Sequence, residues 1–150
     1  MFYNFEEDLS ISDKVELAVV QRLQKAYPDF TFHSFSNTKE YDCIFSMGGK
    51  TYTLEIKSDY FANHTGNMVV EYESWGRPSG ISTTTANFIA YAVMRSLGDF
   101  DLYIINTIKL RKMIEEGLYF DTMVGGDIGS KTKLYRFKAD VYIRESVYIA

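Results

Sequence analysis

The chain has 150 residues, a length that favours one domain with a single sizeable core. Its composition is 46% hydrophobic and 16% aromatic, which excludes a disordered chain, and no run approaches the roughly 18 apolar residues of a membrane span. The net charge of −4 argues mildly against nucleic-acid binding, although basic residues outnumber acidic ones from Lys131 onwards, so a local basic surface is compatible with it.

The amino-terminal segment and the scarcity of cysteine indicate a location inside a cell. Met1 to Ile11 is acidic and aromatic, either a loop or an arm that docks on a partner, and it lacks the basic start of a secretory signal. The single cysteine, Cys43, cannot form a disulfide within the chain, and with only two histidines a structural zinc site is not expected. These features predict a cytoplasmic protein that is not attached to a membrane.

A helix is predicted to start at Ser12 or Asp13 and to run to about Ala26, because apolar residues recur at helical spacing and Pro28 follows. Glu16 has two interpretations. With Asp13 as the N-cap residue, Glu16 would complete a capping box. A carboxylate in the first turn could also face a functional site, and the two roles do not exclude each other.

The stretch Tyr41–Tyr60 predicts a β-hairpin, because two runs rich in aromatic and β-branched residues flank a Gly-Gly pair. Side chains alternate between the two faces of a strand. Leu54 and Ile56 are therefore expected to enter the core, while Glu55 and Lys57 share the opposite face. A strand predicted over Phe30 to Phe35 precedes this hairpin.

Asp42 begins the first strand of the hairpin, and the turn would bring it back towards Glu55. Two carboxylates and the Lys57 ammonium group would then converge. One interpretation is a surface cluster of salt bridges. The other is a site for Mg²⁺ or Mn²⁺, which bind carboxylate oxygens and activate water for phosphodiester hydrolysis. In such a site Lys57 would orient the water or neutralise the developing charge.

The segment after the hairpin contains further candidates. A strand is predicted over Asn67–Ser74, where Glu71 is either a solvated glutamate or a further member of the acidic cluster. Trp75 follows, and packing in the core or a loop is favoured over stacking on a base. The hydroxyl-rich segment Ser79–Thr85 precedes a helix predicted from about Thr85 to Leu97. Its hydroxyls and amides would either cap that helix or bind phosphate at its N-terminus.

The remainder of the chain alternates between predicted strands and one helix. Gly125–Ser130 is rich in glycine but has no nucleotide-binding signature. The predicted elements are a buried strand in Asp101–Asn106, a helix from Thr107 to about Glu116 with Gly117 at its end, a strand in Tyr119–Val124, and one or two strands within Lys133–Ile149.

Asp42 followed by Glu55-Ile56-Lys57 after a β-turn resembles the active-site motif of the PD-(D/E)XK nuclease superfamily, although no proline precedes Asp42. Glu16, on the helix upstream, matches the additional acidic residue that the superfamily often places there. The segments Thr65–Ser74 and Gly76–Ile81 look like those of small phage and viral nucleases, to which some archaeal Holliday-junction resolvases are related. The resemblance covers residues 13 to 107 and leaves the carboxyl-terminal part unmatched.

The resemblance implies a single domain over residues 1–150 with a restriction-endonuclease-like fold. This is an α/β fold of mixed α+β type, with a central mixed β-sheet flanked by helices. The residues that it implies are catalytic Glu16, Asp42, Glu55 and Lys57; metal-binding Asp42, Glu55 and the carbonyl of Ile56; and nucleic-acid-binding Arg77, Ser79, Gly80 and Thr83.

The expected function is that of a Mg²⁺- or Mn²⁺-dependent DNA endonuclease, either general or structure-specific like a Holliday-junction resolvase. Its partner is DNA, and a junction substrate would require a homodimer that places two sites on opposed strands. The resemblance also implies a phage or viral origin. The alternative is a catalytically inactive nuclease-fold module that acts in DNA binding or protein assembly. The acidic charge favours this alternative, whereas the complete Asp, Glu and Lys set argues against it.

Overall fold

The computed structural model describes residues 10–38, 40–125, 129 and 131–150. The acidic segment that precedes residue 10 and most of the glycine-rich segment 125–130 lie outside the described residues. The described elements are helices α1 (Ile11–Ala26), α2 (Ala62–Thr65), α3 (Thr107–Glu115) and α4 (Ala139–Arg144), a 3₁₀ turn (Gly80–Ser82), and strands β1 (Thr31–Phe35), β2 (Cys43–Met47), β3 (Lys50–Asp59), β4 (Asn67–Ser74), β5 (Arg77–Pro78), β6 (Phe88–Ser96), β7 (Asp99–Asn106), β8 (Asp121–Gly125), β9 (Thr132–Lys138) and β10 (Val147–Ile149).

The fold is mixed α+β, with a central mixed sheet flanked by helices. The central sheet has six strands in the order β1-β2-β3-β6-β7-β10, and its β3–β6 pair is parallel. A second sheet has four antiparallel strands in the order β5-β4-β9-β8. Because the chain leaves the central sheet after β3 and re-enters it at β6, the intervening β4–β5 hairpin becomes part of the second sheet.

Strand β6 lies in the middle of the central sheet, where sequence alone predicts a helix. Its residues alternate between two cores: Ala90 and Ala92 face the side of α1, while Ile89 and Tyr91 face the second sheet. The prediction of a helix over Thr85–Leu97 is therefore wrong. A strand that is buried on both faces is apolar at nearly every position, so its sequence shows neither the period of a strand nor that of a helix.

The first core lies between α1 and the central sheet. Val19 of α1 and Leu54 of β3 are almost fully buried there, and Ile56 packs against the cluster, as the hairpin pattern predicts. The buried residues of this core are Val15, Val19, Val20, Leu23, Phe30, Cys43, Phe45, Leu54, Ala90, Ala92, Met94, Phe100, Leu102 and Ile149.

The second core lies between the two sheets and is crossed by one polar link. The hydroxyl of Tyr91, in β6, donates a hydrogen bond to the Asp59 carboxylate of β3 and accepts one from the backbone amide of Val69 in β4 at 3.0 Å. Burial and the charge of Asp59 raise the pKa of Tyr91 well above its ordinary value, so the phenol keeps its proton. This side chain joins the two sheets.

The carboxyl-terminal region contributes to both sheets and contains a helix that the sequence pattern does not reveal. One or two strands are predicted over Lys133–Ile149, whereas α4 separates β9 from β10. Tyr142 of α4 is fully buried against Tyr91, with ring centroids 5.3 Å apart. In the described part of the chain, no helix has the length and apolarity needed to cross a membrane.

Replacement of Tyr91 by Phe is expected to lower the free energy of unfolding by about 1–3 kcal/mol, because Asp59 and the Val69 amide each lose a buried partner. Tyr142→Phe is the matched control, since the buried Tyr142 hydroxyl has no hydrogen-bond partner among the described residues. Its removal should be neutral or stabilising. Urea denaturation of both variants measures the difference, and equal losses would contradict this role of the Tyr91 hydroxyl.

Candidate functional site

The β2–β3 hairpin places Asp42 opposite Glu55. Its two-residue loop consists of Gly48 and Gly49, whose φ angles of 60° and 77° are those that tight hairpin turns require. Cys43 pairs with Leu54, and the Asp42 amide donates to the Leu54 carbonyl at 2.8 Å, so the next step of the ladder brings Asp42 to Glu55. The predicted approach of these two carboxylates agrees with the register of the hairpin.

The Asp42 carboxylate is held by the backbone of the facing strand. Its Oδ2 accepts a hydrogen bond from the amide of Ile56 at 2.6 Å. Burial raises the pKa of Asp42, and this hydrogen bond opposes the shift. The side chain is thus fixed in position while its charge is only partly compensated.

Glu55 is half-buried, and several groups act on its charge. Burial raises the pKa of Glu55, the nearby Thr84 hydroxyl opposes the shift, and the charge of Asp42 raises the pKa further. The Lys57 ammonium group lowers it, whereas Glu71 of β4 raises it. Asp42 and Glu71 therefore both repel Glu55, from the hairpin and from the second sheet respectively.

Glu16 of α1 joins this acidic pair. Burial raises the pKa of Glu16 to about 7, with further contributions from the charges of Asp42, Asp13 and Glu55. The capping-box interpretation of Glu16 is wrong, because Ser10 is the N-cap and its hydroxyl accepts from the Asp13 amide at 3.1 Å. The Glu16 carboxylate is left without a capping role and faces the site.

Across the described residues, no three side chains drawn from His, Cys, Asp and Glu are grouped so that they could hold a metal ion. A smaller donor set nevertheless fits Mg²⁺, which binds to one or two carboxylates and keeps several waters. Asp42, Glu55 and the Ile56 carbonyl would form that set. The raised pKa values of Glu16, Asp42 and Glu55 support the fit, because a bound cation would stabilise the ionised forms that burial disfavours in all three and that neighbouring carboxylates disfavour in Glu16 and Glu55.

A cleft of about 870 Å³ lies beside the acidic pair and is lined by residues of both sheets. Glu55 and Lys57 of β3 form one wall, and Glu71 of β4 forms part of the other. All four residues predicted to bind nucleic acid line the same cleft: Arg77, Ser79, Gly80 and Thr83.

The segment that carries those residues has a different structure from the predicted one. A single 3₁₀ turn, Gly80–Ser82, is followed by a loop and then by β6, so no helix N-terminus is present there to bind phosphate. Arg77 and Thr83 are exposed, whereas the Ser79 hydroxyl is buried without a hydrogen-bond partner among the described residues. Arg77 remains the candidate for contacting phosphate.

Thr84 is the site residue that sequence reasoning missed. It is buried, and its hydroxyl donates to the carbonyl of Glu40 at 2.9 Å and lies near enough to Glu55 to lower the pKa of that carboxyl. The guanidinium group of Arg111, in α3, donates to the carbonyls of Ile81 at 3.0 Å and Thr84 at 2.6 Å, which fixes this loop. Thr84 lies in a run of three threonines, and only the tertiary contacts distinguish it from its neighbours.

Trp75 is exposed, contrary to the predicted packing in a core or loop. Its side chain is 67% accessible and lines the cleft. Its φ angle is 52°, a left-handed conformation that costs an L-residue about 1–2 kcal/mol. A strained and exposed tryptophan at a cleft needs an explanation other than packing.

The comparisons with known proteins give no further assignment. No family model matches the sequence, and neither a curated protein nor a solved structure matches it.

Gly80→Ala is expected to destabilise the protein by at least about 1–2 kcal/mol, because φ at Gly80 is +54°. The clash adds to this loss, since a Cβ atom would lie 2.3 Å from the Glu71 carbonyl oxygen. Gly98→Ala is the control, because its Cβ would meet nothing within 4 Å. Thermal melts of both variants test this, and a stable Gly80→Ala protein would contradict the close packing of the loop on β4.

Glu16→Gln is expected to stabilise the protein at neutral and higher pH in the presence of EDTA. The folded-state pKa of about 7 lies above the ordinary value of 4.5, so ionisation of Glu16 opposes folding as the pH rises through that interval. The difference in melting temperature between variant and wild type should be absent below about pH 4.5 and reach a plateau above about pH 7. A difference in melting temperature that does not change with pH would contradict this prediction. The control is Glu115→Gln, at the exposed end of α3, which is expected to melt like the wild type at each pH.

Proposed function

We propose that this protein is a divalent-metal-dependent deoxyribonuclease that hydrolyses phosphodiester bonds at the Asp42–Glu55–Lys57 site. In this proposal the central sheet and its flanking helices correspond to the restriction-endonuclease-like fold of the PD-(D/E)XK nucleases. The observation that carries the proposal is the meeting of Asp42, Glu55 and Glu16, whose pKa values are all raised, beside a cleft that Lys57 also lines.

This group of carboxylates is better explained by a cation than by a surface salt bridge. Among the described residues, neither Asp42 nor Glu55 forms an ion pair, so no basic nitrogen lies within 4.0 Å of either carboxylate. Burial opposes the ionised forms of both, and the charges of Asp42 and Glu71 further oppose that of Glu55. Clusters of perturbed groups in a cleft are typical of functional sites.

In the proposed reaction Asp42, Glu55 and the Ile56 carbonyl would hold Mg²⁺ or Mn²⁺. The ion would neutralise charge on the phosphate and make water easier to deprotonate. Lys57 shares a face of β3 with Glu55, so its ammonium group is suited to orient the attacking water and to stabilise negative charge on the phosphate. The water oxygen forms a bond to phosphorus and gives up a proton to solvent as the bond from phosphorus to the 3′-oxygen breaks, and the departing 3′-oxygen takes up a proton from solvent.

Glu16 and Thr84 would support this reaction without replacing its central groups. A carboxyl with a pKa of about 7 can hold or release a proton at neutral pH, which suits Glu16 to bind a water beside Asp42. The Thr84 hydroxyl beside Glu55 lowers the pKa of that carboxyl and so favours the ionised form that a cation would bind. Arg77, exposed at the cleft, would contact the phosphate backbone.

Asp42→Asn, Glu55→Gln and Lys57→Ala are each expected to lower metal-dependent cleavage by roughly 10²- to 10³-fold or more, because each removes a group that acts on the reacting phosphate. Labelled single strand, linear duplex, supercoiled plasmid, flap and four-way junction, each with Mg²⁺, Mn²⁺ or EDTA, form the substrate panel. Asp140→Asn, at an exposed position of α4, is the matched control and should cleave like the wild type.

The same variants test metal binding separately. Mn²⁺ at about 100 times its dissociation constant should stabilise the wild type by about 2.7 kcal/mol and should stabilise Glu55→Gln much less. Cleavage close to the wild-type rate by a purified and folded Asp42→Asn or Glu55→Gln variant would contradict the site. A folded wild-type protein that cuts no substrate would instead favour the inactive nuclease-fold module.

A further inference from the structure

Trp75 lies at the cleft with most of its ring in contact with solvent. It is the only tryptophan of the chain, it is 67% accessible, and it lines the same cleft as Glu55 and Lys57. The free energy gained on burying an indole is therefore largely unused in this structure. Packing of the protein does not account for a tryptophan at this position.

The backbone at Trp75 makes its presence more unusual. Trp75 and Gly76 form the two-residue turn between β4 and β5, with φ angles of 52° and 75°. Turns with positive φ at both central residues favour Asn-Gly or Gly-Gly. Among the residues that the structure describes, Trp75 is the only non-glycine with a positive φ. The requirements of the turn therefore do not account for tryptophan either.

One basic group lies beside the exposed ring, and a second follows it in the sequence. The Lys131 ammonium group lies 5.8 Å from the ring centroid, and the Trp75 amide donates to the Lys131 carbonyl at 3.2 Å. Arg77 follows two residues later, is exposed, and forms no ion pair with any described residue. An aromatic face in a cleft that also bears cationic side chains is the usual arrangement for binding a nucleic-acid strand, with bases on the ring and phosphates on the cations.

We propose that Trp75 is a stacking platform for an unpaired base, so that the preferred substrate carries an unpaired nucleotide at the cleft. In a duplex each base is covered on both faces by its neighbours, and an indole can stack only on a base whose face is exposed. Single-stranded DNA and the single-stranded arms of flaps meet this condition, whereas continuous duplex does not. The proposal rests on the proposed function for the identity of the substrate, but its test measures binding alone.

The test uses the emission of Trp75, which is specific because the chain has no other tryptophan. The full chain is titrated in EDTA, which prevents metal-dependent cleavage, with a single-stranded oligothymidine and with a small covalently closed circular duplex, which has no free end and no unpaired loop. The single strand should quench the emission in a saturable manner, and the duplex should not. By anisotropy of labelled DNA, Trp75→Ala should bind the single strand roughly 5- to 150-fold more weakly, the range for loss of one stacked base.

Further variants separate stacking from charge and from folding. Trp75→Phe should retain most of the affinity for the single strand. Arg77→Ala should weaken both DNAs and reduce the salt dependence of binding by about one unit of slope. Phe61→Ala removes an aromatic ring that is 74% accessible but does not line the cleft, and it should bind like the wild type. Trp75→Asn should melt no lower than the wild type, because Asn tolerates a positive φ.

Two results would overturn the proposal. One is binding of the single strand without any change in Trp75 emission. The other is an equal loss of affinity for single strand and duplex in Trp75→Ala. Failure of the proposed nuclease activity is distinguishable from both, because stacking at Trp75 in a protein that cleaves no DNA would contradict only the catalytic assignment.

Discussion

The pairing of Cys43 with Leu54 determines on which side of the central sheet the hairpin residues lie. Both side chains are almost fully buried, and burial of a leucine contributes about 1.5–3 kcal/mol. A shift of register by one residue would bring Glu55 into the core in place of Leu54. The hydrophobic effect thus holds Asp42 and Glu55 together, although neither carboxylate gains from the proximity of the other.

The parts of the fold that sequence predicts are those with a clear period and local contacts. The hairpin and α1 are of this kind, and their predicted positions are confirmed. The sequence of β6 shows no alternation of apolar and polar residues because the strand is buried on both faces, and an apolar run of its length suits a helix equally well. The cap of α1 was misplaced because Ser10 and Asp13 are both good N-caps and local sequence does not rank them. The surroundings of Trp75 depend on the pairing of β4 with β5 and β9, which a local pattern does not contain.

The site is maintained by groups that are not themselves acidic. The Ile56 amide and the Thr84 hydroxyl each stabilise one carboxylate, and both are positioned by backbone contacts. Arg111 holds the loop of Thr84 from α3, and Gly80 lets the same loop approach Glu71 closely. The loop therefore has two anchors on separate elements, which is what precise orientation of a functional side chain requires.

The two walls of the cleft differ in the length of the loop that joins their paired strands. A two-residue turn joins β2 to β3, whereas β4 pairs with β9, in which Asn67 meets Lys138. Loop-closure entropy rises with the length of the loop, and folding slows as contacts become more distant in sequence. The carboxylate wall can consequently form through local contacts early in folding, whereas the wall that contains β4 is completed only when β9 pairs with it. The separation of the β4–β9 ladder would open the cleft while leaving the Asp42–Ile56 hydrogen bond intact.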